Sequence, residues 1–264
     1  MANFTAKDVQ RLRQLTGAGM LDCKKALEAT DGDVDRAVNW LREKGLAQTG
    51  KRSERANEQG AVATANTGTA AAAVELKCET DFVAKSPDFT ALAHEMAQAV
   101  AERGESAVDE FKDQLDGLRI TLKENIDVGR VVRFEAAEGA VLDTYLHSQN
   151  DRGVNGVIVE LSGGDRALAH EVALHVASMR PQWLTRDEVP EERVAAEREV
   201  LENLTRNEGK PEQAVPKIVE GRIGGFFKDN VLLEQPYVKD AKQTVRQLLG
   251  NASLTRFAQV EIGR

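Results

Sequence analysis

The sequence predicts a mixed α and β protein in three parts: a small helical head, a larger body in which strands lead into helices, and a projecting helical pair. Three observations carry this. Apolar residues recur at helical spacing through the first 45 residues. Beyond a polar stretch, a strand-then-helix pattern occurs twice in the same order. Further on, two helical stretches are joined by Gly209-Lys210-Pro211, where glycine ends one helix and proline suits the first turn of the next. A chain of 264 residues has room for one to three domains at roughly 150 residues each.

The head reads as three short helices. Thr5-Ala6-Lys7-Asp8 is a capping-box variant, with Phe4 placed to staple onto Val9. Val9, Leu12 and Leu15 form an apolar stripe, and Gly17-Ala18-Gly19 stops the first helix. A second helix carries Cys23, Ala26 and Leu27 and ends near Thr30-Asp31-Gly32. The third starts at Asp33 as N-cap, presents Val34, Ala37, Val38 and Leu41, and is expected to stop at Gly45. Residues 48–60 hold no apolar side chain larger than that of Ala56 and read as a linker.

The body contains an internal repeat. Val74-Glu75-Leu76 recurs as Val159-Glu160-Leu161, an offset of 85, whereas Ala93-His94-Glu95 recurs as Ala169-His170-Glu171, an offset of only 76. The first copy therefore carries nine more residues (85 less 76) between strand and helix, within residues 77–89. An extended loop at a strand end is a usual place for function. Phe82, flanked by Asp81 and Lys85, is the conspicuous side chain there; the pattern leaves open an exposed aromatic or one folded back on the core. Between the copies, 131–134 and 141–145 read as strands, and Glu138-Gly139 signals a hairpin between them. Helices over 191–208 and 212–226 follow, with Val194, Leu201 and Leu204 on one face of the first and Val215, Val219, Ile223 and Phe226 on one face of the second. At 1.5 Å per residue such a pair projects by about 25 Å.

Composition narrows the function classes. Apolar residues make up 41%, enough for a buried core, but aromatics only 5%, which disfavours an aromatic-lined pocket. The net charge of −8 has the wrong sign for a coat of nucleic acid. It is unevenly spread: residues 1–55 carry 11 Lys/Arg against 8 Asp/Glu, or +3, which leaves −11 for the remainder. A basic head touches something acidic or simply folds separately. No run of 18 apolar residues and no apolar signal core is present, so neither membrane span nor export is expected. Two cysteines, Cys23 and Cys78, make no disulfide framework and fit a reducing cytosol.

Active-site chemistry is not indicated. His170 and His175 flank Glu171, but five positions apart they do not share one helix face as zinc ligands four apart do; they read as helix-face histidines. No CxxC, phosphate-cradling glycine loop or GxSxG elbow occurs. No metal and no cofactor is expected.

Two long motifs, residues 12–27 (LRQLTGAGMLDCKKAL) and 79–85 (ETDFVAK), with a third block at 235–240 (QPYVKD), resemble bacterial elongation factor Ts across nearly the whole chain and in the same order. The resemblance implies an α+β fold: a ubiquitin-associated-like three-helix head over 1–47, a linker over 48–60, a duplicated two-lobed core with antiparallel sheets, and a coiled-coil arm. The first lobe is expected over 61–139, the second over 140–186 and 229–264, with the arm over 187–228 inserted in the second. It also implies a cytoplasmic guanine-nucleotide exchange factor, with elongation factor Tu as partner and no covalent chemistry. In the family the segment matching Thr80, Asp81, Phe82 and Val83 presses on the GTPase near its magnesium site, the aromatic acting as a wedge between helices. Arg13 and Met20 match head residues that touch the GTPase, and Leu21 replaces a second methionine. His147 matches a partner-facing histidine of the second lobe. Residues 148–152 differ from a shorter glycine-rich version in the family. Some members also continue past the position of Arg264 into a helical module. A dimer of complexes stays open, and no direct nucleic-acid contact is implied. A non-catalytic adaptor built on head and arm is the alternative, but it leaves the insertion unexplained.

Overall fold

The computed structural model describes residues 4–50 and 52–263. Lys51, in the expected linker, and Arg264 lie outside them.

Helices α1 (Ala6–Thr16), α2 (Met20–Ala29) and α3 (Val34–Gly50) form the head. Thr5 starts α1 by donating both its backbone N–H and its hydroxyl to the Asp8 carboxylate, each at 2.7 Å. Gly17 ends it in the left-handed conformation (φ 65°) that costs glycine least. Val9, Leu12, Cys23, Ala26, Leu27, Ala37 and Leu41 make the core, with Phe4 packed against it. Leu15, expected on the buried stripe, is instead 62% exposed. Nor does α3 stop at Gly45; it runs on to Gly50. Gly45 is a place of close approach, since a Cβ there would lie 2.7 Å from Cγ1 of Ile120 in the body.

The body comprises β1 (Gln59–Asn66), β2 (Ala70–Cys78), α4 (Asp81–Ala84), α5 (Pro87–Arg103), α6 (Lys112–Leu122) and β3 (Asp127–Glu135). There follow β4 (Ala140–Gln149), β5 (Arg152–Ser162), α7 (Arg166–Met179), α8 (Glu191–Asn207) and α9 (Val215–Asn230). The chain closes with β6 (Pro236–Tyr237), β7 (Asp240–Thr244), α10 (Val245–Leu249) and β8 (Ser253–Glu261). Two three-stranded antiparallel sheets result, ordered β1-β2-β3 and β4-β5-β8, plus a small β6-β7 pair.

The two repeated strands, β2 and β5, are the middle strands of their sheets. Both are buried on both faces, which explains runs such as Ala70-Ala71-Ala72-Ala73-Val74 that do not alternate. Ala72, Val74 and Leu76 face α5, with Phe89, Met96 and Val100. Val157, Val159 and Leu161 face α7, with Val172 and Val176. The alternate residues Val62, Ala71, Ala73, Leu142, Ile158 and Val260 pack sheet on sheet. The body is thus layered helix–sheet–sheet–helix. The layers meet closely enough that a Cβ on Gly153 would stand 2.1 Å from the Val62 carbonyl oxygen.

The expected hairpin at Glu138-Gly139 is a correction. A turn does form there, with Ala140 N–H donating to the Ala137 carbonyl at 2.9 Å, but β3 pairs with β2 and β4 with β5. The chain crosses from one sheet to the other, because each middle strand requires a partner on both edges. The β4–β5 hairpin turns instead at Asn150-Asp151, both at positive φ (53° and 62°), as a two-residue hairpin demands.

The arm is the antiparallel pair α8–α9. Val215, Val219, Ile223 and Phe227 are buried in it against Val194 and Leu201, and Trp183 and Val231 close its base. Leu204 and Val200 stay exposed. Among the described residues no helix is long and apolar enough to cross a membrane.

Candidate partner-binding site

The longer strand-to-helix connection of the first repeat holds α4, a single turn between β2 and α5. Its N-cap is Thr80, whose hydroxyl accepts the Val83 N–H at 3.4 Å. The same hydroxyl donates to Oε1 of Glu124 at 2.5 Å, while Oε2 of Glu124 accepts the backbone N–H groups of Glu79 and Thr80 at 3.0 and 3.1 Å. In return the Glu79 carboxylate accepts the Asn125 N–H at 2.7 Å. Val83 packs against the first core and Ala84 is buried. Thr80, although exposed to solvent, and Val83, half-buried against the core, therefore anchor the turn.

What the turn presents is Phe82, 81% exposed. The alternative of an aromatic folded back on the core is settled by that figure; the core position is taken by Phe89. Asp81 beside it accepts a hydrogen bond from Lys85 Nζ at 2.5 Å, and the same ammonium lies 5.8 Å from the centre of the Phe82 ring. The Lys85 hydrogen bond, with Lys85 and Arg152 charge nearby, holds the Asp81 carboxyl below its ordinary range. An apolar ring flanked by a fixed carboxylate suits an apolar crevice with a polar rim.

His147 is exposed on β4 and shares an open cleft with Lys77, Gln149 and Arg152. Arg152 connects this cleft to α4. It follows the Asn150-Asp151 turn, donates to the Gly60 carbonyl and to Gln59 Oε1 at 2.8 and 3.0 Å, and is close enough to bear on Asp81. Lys77, in the same cleft as His147, lies near the end of β2, the strand that leads into the Phe82 turn. Arg13, Met20 and Leu21 stand apart from it, in the head. Arg13 is exposed on α1. Met20 and Leu21 open α2 and, with Leu15, make an apolar tip around Gly17-Ala18-Gly19, exposed by 57%, 73% and 62% respectively.

Several residues have roles not evident from pattern. Glu124 and Arg152 carry no motif; their partners lie far away along the chain. His175, expected on a helix face, is fully buried. Its Nδ1 accepts the Val238 N–H at 3.1 Å, so the proton sits on Nε2 and is donated to Gln235 Oε1 at 2.9 Å. Burial pushes its pKa down. Gln235, also fully buried, donates onward to the Asp229 and Met179 carbonyls. Within the block 235–240, Gln235 is thus structural. Tyr237 donates to Glu171, and burial together with that carboxylate pushes its phenol up to about 12. His170 is half-exposed and bonded to the buried Asp143 at 2.8 Å. Burial lifts the Cys78 thiol to about 12, an inert group.

A family model described as elongation factor TS matches residues 79–264, and one described as UBA/TS-N domain matches residues 4–41, the head. Elongation factor Ts of Mycobacterium tuberculosis is 48% identical over 278 aligned positions, covering all of both chains. The proteins of the same name from Mycobacterium bovis and Mycobacterium avium are 48% and 46% identical, again over their full lengths. The chain belongs to the elongation factor Ts family of translation elongation factors.

Proposed function

We propose that this protein is the guanine-nucleotide exchange factor of elongation factor Tu, acting in the cytoplasm during translation elongation. The observation that carries the reading is Phe82, a large aromatic held almost wholly in solvent on a turn whose every other side chain is tied down. An exposed ring on a fixed mount has a use only when a partner receives it.

Exchange requires no covalent step. The factor binds the nucleotide-free GTPase better than the GDP-bound one, and the coupling is reciprocal: GDP loosens the factor as much as the factor loosens GDP. Phe82 enters between helices of the partner, and Asp81 lies at the same contact. Movement there disturbs the partner's magnesium site, the largest local charge holding the diphosphate. Arg13, Met20 and Leu21 on the head and His147 on the second lobe add contacts that hold the GTPase while the wedge acts.

Release of labelled GDP from elongation factor Tu, with and without this protein, tests the reading. Acceleration by catalytic amounts is expected. Unchanged release, with or without detectable complex formation, would reject it in favour of an adaptor.

A further inference from the structure

We propose that residues 120–125 form a bracket that holds the head's apolar tip and the Phe82 turn at one fixed separation, so that both meet a single partner as one preformed surface. Gly45, Ile120 and Glu124 are its positioning residues. The inference rests on the exchange reading above and adds to it how the two contact regions are kept in register.

One end of the bracket carries the head. A Cβ on Gly45 would lie 2.7, 2.9 and 3.0 Å from Cγ1, Cγ2 and Cδ1 of Ile120. A β-branched side chain is stiff at χ1 and cannot swing clear at low cost. One residue on, Thr121 Cγ2 would stand 3.1 Å from a Cβ on Gly17, at the C-terminus of α1. Two glycines from different parts of the head thus rest on consecutive residues of α6. Arg42 pairs with Asp113 at 2.5 Å beside them, an exposed contact that adds little energy.

The other end carries the wedge. Lys123 takes the left-handed conformation (φ 61°) that ends α6 and turns the chain towards β2. Glu124 then makes its three bonds to Glu79 and Thr80. The buried Asn125 returns its N–H to Glu79 and donates its side-chain amide to the Arg55 and Ser53 carbonyls at 2.7 and 3.3 Å. Those two carbonyls belong to the segment leaving the head. Head, connecting segment and Phe82 turn are therefore all fastened to six consecutive residues. Fixing two contacts in advance removes the ordering cost from binding and raises the effective concentration of the second contact.

The test follows labelled-GDP release from elongation factor Tu against concentration of the full-length protein, with melting recorded for each variant. Gly45→Leu should raise the half-saturating concentration by about tenfold through lost effective concentration, with the saturating rate kept. Glu124→Ala should lower the saturating rate, since the turn loses its mount while the head stays seated. Gly45→Ala should show the milder form of the first defect, and Ile120→Ala in the same chain should relieve it; this pair decides if Gly45→Leu does not fold. Unchanged half-saturation in a folded Gly45→Leu chain, no relief by Ile120→Ala, or both kinetic parameters simply following lost melting temperature overturns the bracket. Energy transfer between dyes at Lys24→Cys and Asp88→Cys separates this from failure of the exchange reading. One narrow distance in the parent, broadened by Gly45→Leu, is expected whether or not GDP release responds, and a broad distribution in the parent overturns the proposal.

Discussion

Thr80 donates its hydroxyl proton to the carboxylate of Glu124 across 2.5 Å, although the two residues stand 44 positions apart. The same oxygen caps α4 by accepting the Val83 N–H. One hydroxyl thus joins the mount of the turn to the turn itself, so the backbone that carries Phe82 is held from both sides.

Replacement of Phe82 separates wedge from scaffold. Phe82→Ala should lose roughly 1.5–3 kcal/mol of buried contact in the complex, a tenfold to hundredfold fall in exchange efficiency at about 1.4 kcal/mol per decade. Because the ring is 81% exposed, folding stability should change by no more than about 0.5 kcal/mol. Melting curves alongside GDP release check both halves; a folded mutant with normal exchange sinks the wedge.

The head contributes through apolar area and charge in different ways. Leu21→Ala should weaken the complex by about 1–2 kcal/mol, and the loss should persist at high salt. Arg13→Ala should cost about 1–3 kcal/mol if it meets a charged group, and that loss should shrink as salt rises. Binding titrations at two ionic strengths distinguish the two; no change in either variant removes the head from the interface.

His175 makes stability depend on pH. The unfolded imidazole titrates near 6.5, while burial lowers the folded value. Between the two values the unfolded chain binds the extra proton, so stability rises with pH there. The contribution is complete above about pH 6.5 and is lost as pH falls through the folded value, when a protonated Nδ1 would face the Val238 N–H. Urea unfolding at pH 8 and at pH 5.5 should show a lower midpoint in acid. His175→Gln should flatten that part of the profile, and an unaltered profile in this variant assigns the effect elsewhere.

Glu160 is 1% exposed, and Arg256 holds it at 2.7 Å. Burial opposes its ionisation, but Arg256 and the Ala137 N–H outweigh this and keep its pKa below the ordinary range. Arg256 also donates to the Glu135 carbonyl and lies 4.4 Å over the Phe134 ring, so it ties the two sheets together. Arg256→Ala should cost about 2–3 kcal/mol, less than the ~3–5 of a fully buried pair because water reaches the guanidinium. Since the folded carboxyl pKa is depressed, the pair's contribution is present above the unfolded value of about 4.3 and fades as pH falls below it. Denaturant titrations at neutral and acid pH should therefore show the mutant's deficit shrinking in acid; a deficit independent of pH would point to packing over Phe134 alone.

The head, the two repeated strand–helix units and the arm could be read in order from the residues alone, whereas β1, α6, β6, β7, α10 and β8 carried no recognised pattern. Helical spacing marked the head, the shifted offsets of Val-Glu-Leu and Ala-His-Glu placed an insertion around Phe82, and the Gly209-Lys210-Pro211 signal divided α8 from α9. These are local signals, carried by neighbours a few positions apart. Tertiary structure decided what depends on distant partners. Glu138-Gly139 turns the chain in either topology, and only the two-sided burial of β2 and β5 sends β4 to the other sheet. Gly45 looks like a stop until Ile120 is placed against it. His175 reads as an ordinary helix-face histidine until Gln235 and Val238 reach both its nitrogens. Glu124 carries no pattern at all, because a carboxylate becomes a mount only when backbone donors some 45 residues away are folded onto it.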